Sequence, residues 1–249
     1  MANEKIFTTK ADNYAKSRPS YAPEAIDFIT TELLPRGGMT ADIGSGTGIF
    51  SGELLRRGCP VLCVEPNQKM REKAEATLGG VPGFRSVEAS AEHTTLPDGS
   101  VQLVTAASAF HWFDANAFRT ECRRILTPGG QVCILINARV YDAFTEKQHA
   151  ICLKNCQTFR SLKHGLEKTE AAVDGFFALG WQSRRFSFPL VYTVDSFVSR
   201  SLSSSYAPDS DSAQGRAFAA QLGQLAEAYA TDGRLTVAND TVVFWGQPK

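Results

Sequence analysis

Between residues 41 and 48 the chain reads ADIGSGTG, an acid followed by alternating glycines: Asp42, then Gly44, Ser45, Gly46 and Gly48. Glycines in alternation let a backbone turn sharply and lie close against a ligand. Two well-known patterns of this kind fail here. The dinucleotide fingerprint G-x-G-x-x-G, started at Gly44, needs a glycine where Ile49 stands; started at Gly46, it needs one at Ser51. A phosphate-binding P-loop needs a glycine at 49 followed by lysine and then serine or threonine, and the chain reads IFS. An acid at the loop entrance is poor company for pyrophosphate and good company for positive charge. Glu65 ends the next apolar run, where an acid in a chain of alternating strands and helices accepts hydrogen bonds from both ribose hydroxyls. Together the two acids describe a nucleoside without a 2′-phosphate whose other end is cationic.

Two other groups of residues could do chemistry. His111, within SAFHWFD, is the candidate general base, although a histidine among aromatics also packs as a hydrogen-bonded core residue. HAICLKNC puts His149, Cys152 and Cys156 on one helix face, and three such ligands could hold zinc. No fourth ligand stands near, and helix-spaced cysteines read as core packing, so no metal is expected.

The elements that must position these residues alternate. Strand-like runs are MTADI (39–43), VLCVE (61–65), FRSVEA (84–89), VQLVTAA (101–107) and QVCILIN (131–137), each short and apolar, fit for burial on both faces. Helical stretches lie between them: IFSGELLRRG ending at Gly58, NQKMREKAEATLGG ending at a glycine pair, and DANAFRTECRRILTPGG from Asp114 as N-cap to Pro128 and Gly129. That alternation predicts α/β architecture: a Rossmann-like parallel sheet, helices on both faces, and ligands at the carboxyl ends of the strands where their order reverses. In front, KADNYAKSRPSYAPEAIDFITTELLP reads as two helical pieces broken near Pro19 and Pro23, the second with an apolar face through Ile26, Ile29 and Leu33. Behind come a polar helical stretch at 138–170, a helix EAAVDGFFALGW, a strand QSRRFSFPLVYTV, a Ser-rich piece, an amphipathic helix GRAFAAQLGQLAEAYATDG and a closing strand TVVFWGQ.

With 249 residues, one domain is expected over 1–249: a helical lid at 1–36, a cofactor-binding core at 37–137, and helical inserts on the substrate side at 138–170 and 195–232. Basic and acidic residues balance at 26 each, which argues against nucleic acid or an anionic membrane as a partner. The polar start has no signal-peptide core, and no segment approaches the ~20 apolar residues of a spanning helix, so a cytoplasmic protein is expected. Its six cysteines then read as reduced thiols.

S-adenosylmethionine fits the ligand described above: adenosine, a sulfonium, an amino group, and one carboxylate suited to the helix N-terminus after Gly48. At this point the sequence resembles a known family, the class I S-adenosylmethionine-dependent methyltransferases, and within it the methyltransferase 11 type. ADIGSGTG resembles the family's cofactor loop, VEPNQKM its ribose loop, EASAEHTTLPDGSVQLV the segment from the adenine contact into strand four, SAFHWFD its motif after strand four, and ILTPGG the turn before strand five. ADNYAKSRPSYAP resembles the N-terminal lid of methyltransferases such as trans-aconitate methyltransferase. The resemblance implies a seven-stranded, mostly parallel sheet of order 3-2-1-4-5-7-6, with TVVFWGQ as the antiparallel strand seven. It implies that Asp42 through Gly48 face the methionine part, with Glu65 on the ribose and Pro66, Asn67 and Met70 around the adenine. Ser90, Ala91 and Glu92 edge the adenine, Glu92 accepting from its amino group, and Ala107 and Ser108 lie beside the sulfonium. Tyr14 and Arg18, one turn apart, close over the cofactor, and Tyr21 is a weaker candidate for the same role.

The implied reaction moves a methyl group to a small-molecule acceptor, a carboxylate or other oxygen, leaving S-adenosylhomocysteine. A carboxylate acceptor needs no base; for a hydroxyl or ammonium, His111 is the candidate. Arg139, Arg160, Ser204, Ser205 and Tyr206 could bind an acidic substrate, although arginine on an exposed helix is usually solvated. SAFHWF lacks the Asn- or Asp-Pro-Pro-aromatic motif of enzymes that methylate exocyclic or amide nitrogens. Two rival readings are a binding protein for the same cofactor without turnover, and a nicotinamide-dependent oxidoreductase.

Overall fold

The computed structural model describes residues 19–204 and 206–249; Tyr14, Arg18 and Ser205 lie outside them. Contacts divide the chain into two compact units. One comprises the described chain up to Asn137, Gly165–Phe186 and Thr241–Lys249; the other comprises Ala138–His164 and Ser187–Asp240. The helix that starts at His164 lies, from Gly165 onward, in the first of these units.

The first unit is built on β1 (Thr40–Ile43), β2 (Val61–Val64), β3 (Phe84–Val87), β4 (Val101–Ala107), β5 (Leu126–Arg139), β6 (Gln182–Ser187) and β9 (Asn239–Gly246). They form one seven-stranded sheet in the order β3-β2-β1-β4-β5-β9-β6. The pairs β1–β2, β1–β4, β2–β3 and β4–β5 are parallel, and β9, the TVVFWGQ strand, is antiparallel, giving the expected Rossmann-like methyltransferase order. Every residue of β1 is buried, as a central strand covered on both faces must be. β3, at the sheet edge, has no buried residue, so the expectation of two buried faces holds in the middle of the sheet and fails at its margin.

Helices follow the strands. α1 (Pro23–Phe28) runs on through a wider π turn at Ile29–Leu33, and Ile26, Ile29 and Leu33 are buried as their spacing predicts. α2 (Ile49–Arg56) starts at Gly48. α3 (Gln68–Leu78) is capped by Asn67, whose side chain accepts from Met70 N at 3.1 Å. α4 (Ala115–Ile125) is capped by Asp114, which accepts from Asn116 N and Ala117 N, each at 3.0 Å. This helix stops at Ile125, short of Pro128, and Leu126–Gly130 open β5.

The second unit contains α5 (Ala143–Asn155), α7 (Val194–Leu202), α8 (Ala213–Tyr229) and a two-stranded antiparallel sheet of β7 (Leu190–Thr193) and β8 (Arg234–Val237); α6 (His164–Phe176) opens at the division between the units, and nearly all of it lies in the first. Its core gathers Phe144, Cys152, Phe197, Phe218 and Leu222. QSRRFSFPLVYTV is two strands and not one: β6 ends before Phe188 and Pro189, and β7 joins another sheet. Pro189 has no N–H to continue a ladder. All six cysteines are free thiols. Among the described residues no helix is long and apolar enough to cross a membrane, and no cluster of potential metal ligands occurs. His149 Nδ1 instead faces the Tyr141 hydroxyl at 2.5 Å.

Candidate active site

The site lies in the first unit, at the carboxyl ends of β1, β2 and β4, where β1 pairs with β2 on one side and β4 on the other. In an open α/β sheet this is where the connections diverge and leave a crevice. Gly44 N and Ser45 N both donate to Val64 O, at 2.8 and 3.2 Å, tying the glycine loop to the end of β2.

The three glycines have different tasks, although each has positive φ. A Cβ on Gly44 would meet Ala109 Cβ at 2.9 Å and the Phe113 ring at 3.0 Å; one on Gly48 would meet Leu78 Cδ1 at 2.7 Å. Both are glycine because other elements press against them. Gly46, with φ +57°, would meet nothing within 4 Å. Its backbone conformation demands glycine, and its Cα faces open space. Beside it, the Ser45 and Thr47 hydroxyls are sheltered and have no hydrogen-bond partner among the described residues, unusual for buried polar atoms.

Glu65 joins the two loops. Its Oε2 accepts from Gly46 N and its Oε1 from Asn67 N, both at 2.9 Å. The loop after Glu65 is pinned by Arg71, whose Nη1 donates to Glu65 O and Pro66 O, both at 3.0 Å, and whose Nη2 pairs with Glu88 at 2.7 Å. Pro66 is exposed and Met70 buried.

Asp42 is placed differently from the expectation that it faces a ligand directly. It is fully buried, with Ser51 Oγ donating to Oδ2 at 2.6 Å and Thr105 Oγ1 to Oδ1 at 2.9 Å. Burial pushes its pKa up to about 6; the two hydroxyl donors oppose that rise, and the nearby Glu65 charge adds to it. The carboxylate is thus a buried charge near the loop, with contacts to the protein's own hydroxyls.

On the other side of the crevice, Ala107 ends β4 and Ser108 takes φ +54°, a left-handed conformation uncommon for serine. It is held there by Ser108 N donating to Leu135 O at 2.8 Å, while Ser108 Oγ accepts from the Tyr21 hydroxyl at 3.1 Å. His111 is half-buried in a 3₁₀ turn, Phe110–Trp112. Phe110 anchors that turn, buried against Phe176 at 5.1 Å and Phe118 at 6.2 Å. The His111 and Trp112 rings are 5.0 Å apart, and Lys168 Nζ donates to His111 O.

The adenine-edge candidates are split. Ser90 bridges to His93, Ala91 is buried, and Glu92 Oε1 accepts from Asp114 N at 3.1 Å. Glu92 therefore ties its loop to the start of α4. Sequence reasoning missed Ser51, Thr105 and Arg71, and only the strand register could have revealed Thr105, which lies directly beside Asp42.

A crevice at the switch point, a glycine loop that matches neither the dinucleotide fingerprint nor the P-loop, and an acid directly after β2 mark the carboxyl ends of the central strands as the candidate site of this α/β fold. Residues 41–134 match a family model described as a methyltransferase domain, of the methyltransferase 11 type. An uncharacterized methyltransferase of Mycobacterium tuberculosis is 37% identical over 133 residues, 53% of this chain and 52% of that protein. A protein of Dictyostelium discoideum assigned as a methyltransferase is 33% identical over 131 residues, 51% of this chain and 47% of that one. The chain thus spans about half the length of these curated relatives. Among solved structures, a protein of Anaeromyxobacter dehalogenans assigned as a type II methyltransferase shares the fold, with TM-score 0.66 at 22% identity over 92% of this chain and 97% of that one. Over residues 41–134 the chain is therefore similar to a methyltransferase domain.

Proposed function

We propose that the protein transfers a methyl group from S-adenosylmethionine to a small-molecule acceptor. The observation that carries this reading is the Gly46–Glu65 hydrogen bond at 2.9 Å beside a Gly46 Cα that faces open space. It couples the loop suited to the methionine part with the acid suited to the ribose. The hydroxyls of Ser45 and Thr47, without a partner among the described residues, fit a ligand with polar groups on that side.

In this reading Gly44, Ser45, Gly46 and Gly48 hold the methionine part, with Tyr14 and Arg18 over it. Glu65 holds the ribose; Pro66, Asn67, Met70, Ser90, Ala91 and Glu92 surround the adenine; Ala107 and Ser108 flank the reacting end. Asp42 contributes negative charge from within the protein. When bound, S-adenosylmethionine supplies an already activated methyl on a sulfonium. The chain's task is then to align the partners and exclude water, which is worth up to roughly 7 to 11 kcal/mol for well-oriented groups. His111 takes the proton from a hydroxyl or ammonium acceptor and is not needed for a carboxylate. The balanced charge, 26 basic against 26 acidic residues, supports a small acceptor over a nucleic acid.

Calorimetry with S-adenosylmethionine, S-adenosylhomocysteine and NAD tests the reading. Binding of the first two without NAD is expected, and tight NAD binding with no response to the others overturns it. Turnover of labelled cofactor over small acids, phenols and amines then separates an enzyme from a protein that binds without transferring.

A further inference from the structure

The backbone on both sides of Tyr21 is held in a way that burial alone does not require. Ala22 is fully buried, so its N–H must find an acceptor, and it donates to Thr241 Oγ1 on β9 at 2.9 Å. Burial asks for no more than that bond. Thr241 Oγ1 in turn donates to Asn137 Oδ1 on the neighbouring strand β5 at 2.7 Å, and Asn137 Nδ2 donates to Ser20 O at 2.8 Å. These bonds close a ring about Tyr21, in which one strand side chain grips the carbonyl before it and another the N–H after it. All the residues of the ring belong to the first unit.

A peptide group is planar, so fixing Ser20 O and Ala22 N fixes both peptide planes that flank Tyr21, and with them its φ and ψ. Its side chain is left a small choice of staggered directions, from which packing selects. The Tyr21 side chain is buried, its ring edge-on to Phe50 of α2 with centroids 5.4 Å apart. At its far end the hydroxyl donates to Ser108 Oγ at 3.1 Å. Ser108, with φ +54°, has a conformation that serine keeps only where its surroundings over-determine it. Two bonds hold it: Ser108 N to Leu135 O at 2.8 Å, and the one from Tyr21. β5 therefore governs both ends of the contact, Leu135 through Ser108 and Asn137 through Ser20.

We propose, resting on the methyl-transfer reading in which Ser108 flanks the reacting end, that Asn137 and Thr241 are positioning residues: they clamp the backbone about Tyr21 so that its hydroxyl holds Ser108 beside the sulfonium. S-adenosylmethionine and S-adenosylhomocysteine differ only at the sulfur, a methylated cation in one and a neutral thioether in the other. A change of affinity confined to the first therefore reports on that end of the site.

Calorimetry of the full chain with these two compounds and adenosine needs no methyl acceptor. Thr241→Val removes the clamping hydroxyl at nearly constant shape, Thr241→Ser keeps it, and Tyr21→Phe removes the phenolic hydroxyl while keeping the ring. Thr241→Val and Tyr21→Phe should each lower the affinity for S-adenosylmethionine relative to S-adenosylhomocysteine by about fivefold, the worth of one hydrogen bond. Adenosine affinity should stay unchanged, and Thr241→Ser should keep the wild-type ratio. In the Tyr21→Phe background Thr241→Val should add nothing to the ratio, since both act through one contact. A side chain that serves folding alone lowers the unfolding temperature and leaves the ratio where it was. Asn137→Ala, at a half-buried position, gives the same readout if Thr241→Val does not fold. An unaltered ratio in folded Thr241→Val or Asn137→Ala, or effects that add in the double variant, overturns the proposal and leaves the methyltransferase reading standing. Failure of the wild type to bind either S-adenosyl compound overturns both.

Discussion

Replacing Asp42 by asparagine tests the buried charge directly. The native carboxyl, fully buried, keeps its proton up to about pH 6, whereas the usual value is 3.8. Between those values the native state binds more protons than the unfolded chain, so the stability that this residue contributes falls as pH rises. It is fully present below the unfolded value, is lost through the native value, and stays flat above it. At about 1.4 kcal/mol per pKa unit, the gap corresponds to about 3 kcal/mol. The asparagine side chain has no such titration. Its amide can keep one hydroxyl as a donor and turn the other into an acceptor, because Ser51 and Thr105 both carry rotatable protons. Urea unfolding followed by tryptophan fluorescence from pH 4 to pH 8 should show Asp42→Asn gaining on the wild type by about 3 kcal/mol up to pH 6, then running parallel to it. Other carboxylates cancel in the difference. A stability difference that does not vary with pH would refute the reasoning, because it would mean that burial does not hold the proton on Asp42. Over the same interval, wild-type affinity for S-adenosylmethionine should rise as the carboxylate ionises, and the variant should lack that rise.

Two further substitutions separate binding from folding. Glu65→Gln keeps the shape but turns an amide N–H toward the N–H of Gly46 or Asn67; it should weaken S-adenosylmethionine by about 1.5 to 3 kcal/mol in calorimetry, and unchanged affinity in a folded variant would remove Glu65 from the site. Gly46→Ala costs about 1 to 2 kcal/mol for its left-handed backbone but clashes with nothing, so cofactor affinity should fall more than stability. Gly48→Ala, pressed against Leu78, should show the reverse, with thermal unfolding as the measure.

Much of the fold was legible because its signals are local. Short apolar runs alternating with amphipathic stretches describe a parallel α/β sheet, and VQLVTAA is β4 residue for residue. Asn67 and Asp114 announce helix starts because a cap needs only its own next few residues. Boundaries blurred where distant partners decide. The LTPGG stretch joins β5 because β4 lies beside it, and QSRRFSFPLVYTV divides because its halves pair in different sheets.

The site divides in the same way. By itself the sequence located the glycine loop and the acid that follows β2 as the candidate site, since glycine spacing and strand order dictate where backbone can approach a ligand. Only the tertiary structure decided that Asp42 is buried between Ser51 and Thr105, that Tyr21 meets Ser108, and that Glu65 accepts from both Gly46 N and Asn67 N. The reason is physical: desolvation and hydrogen-bond satisfaction depend on groups brought together from far apart in the chain, as Thr105 is to Asp42 by the register of two parallel strands.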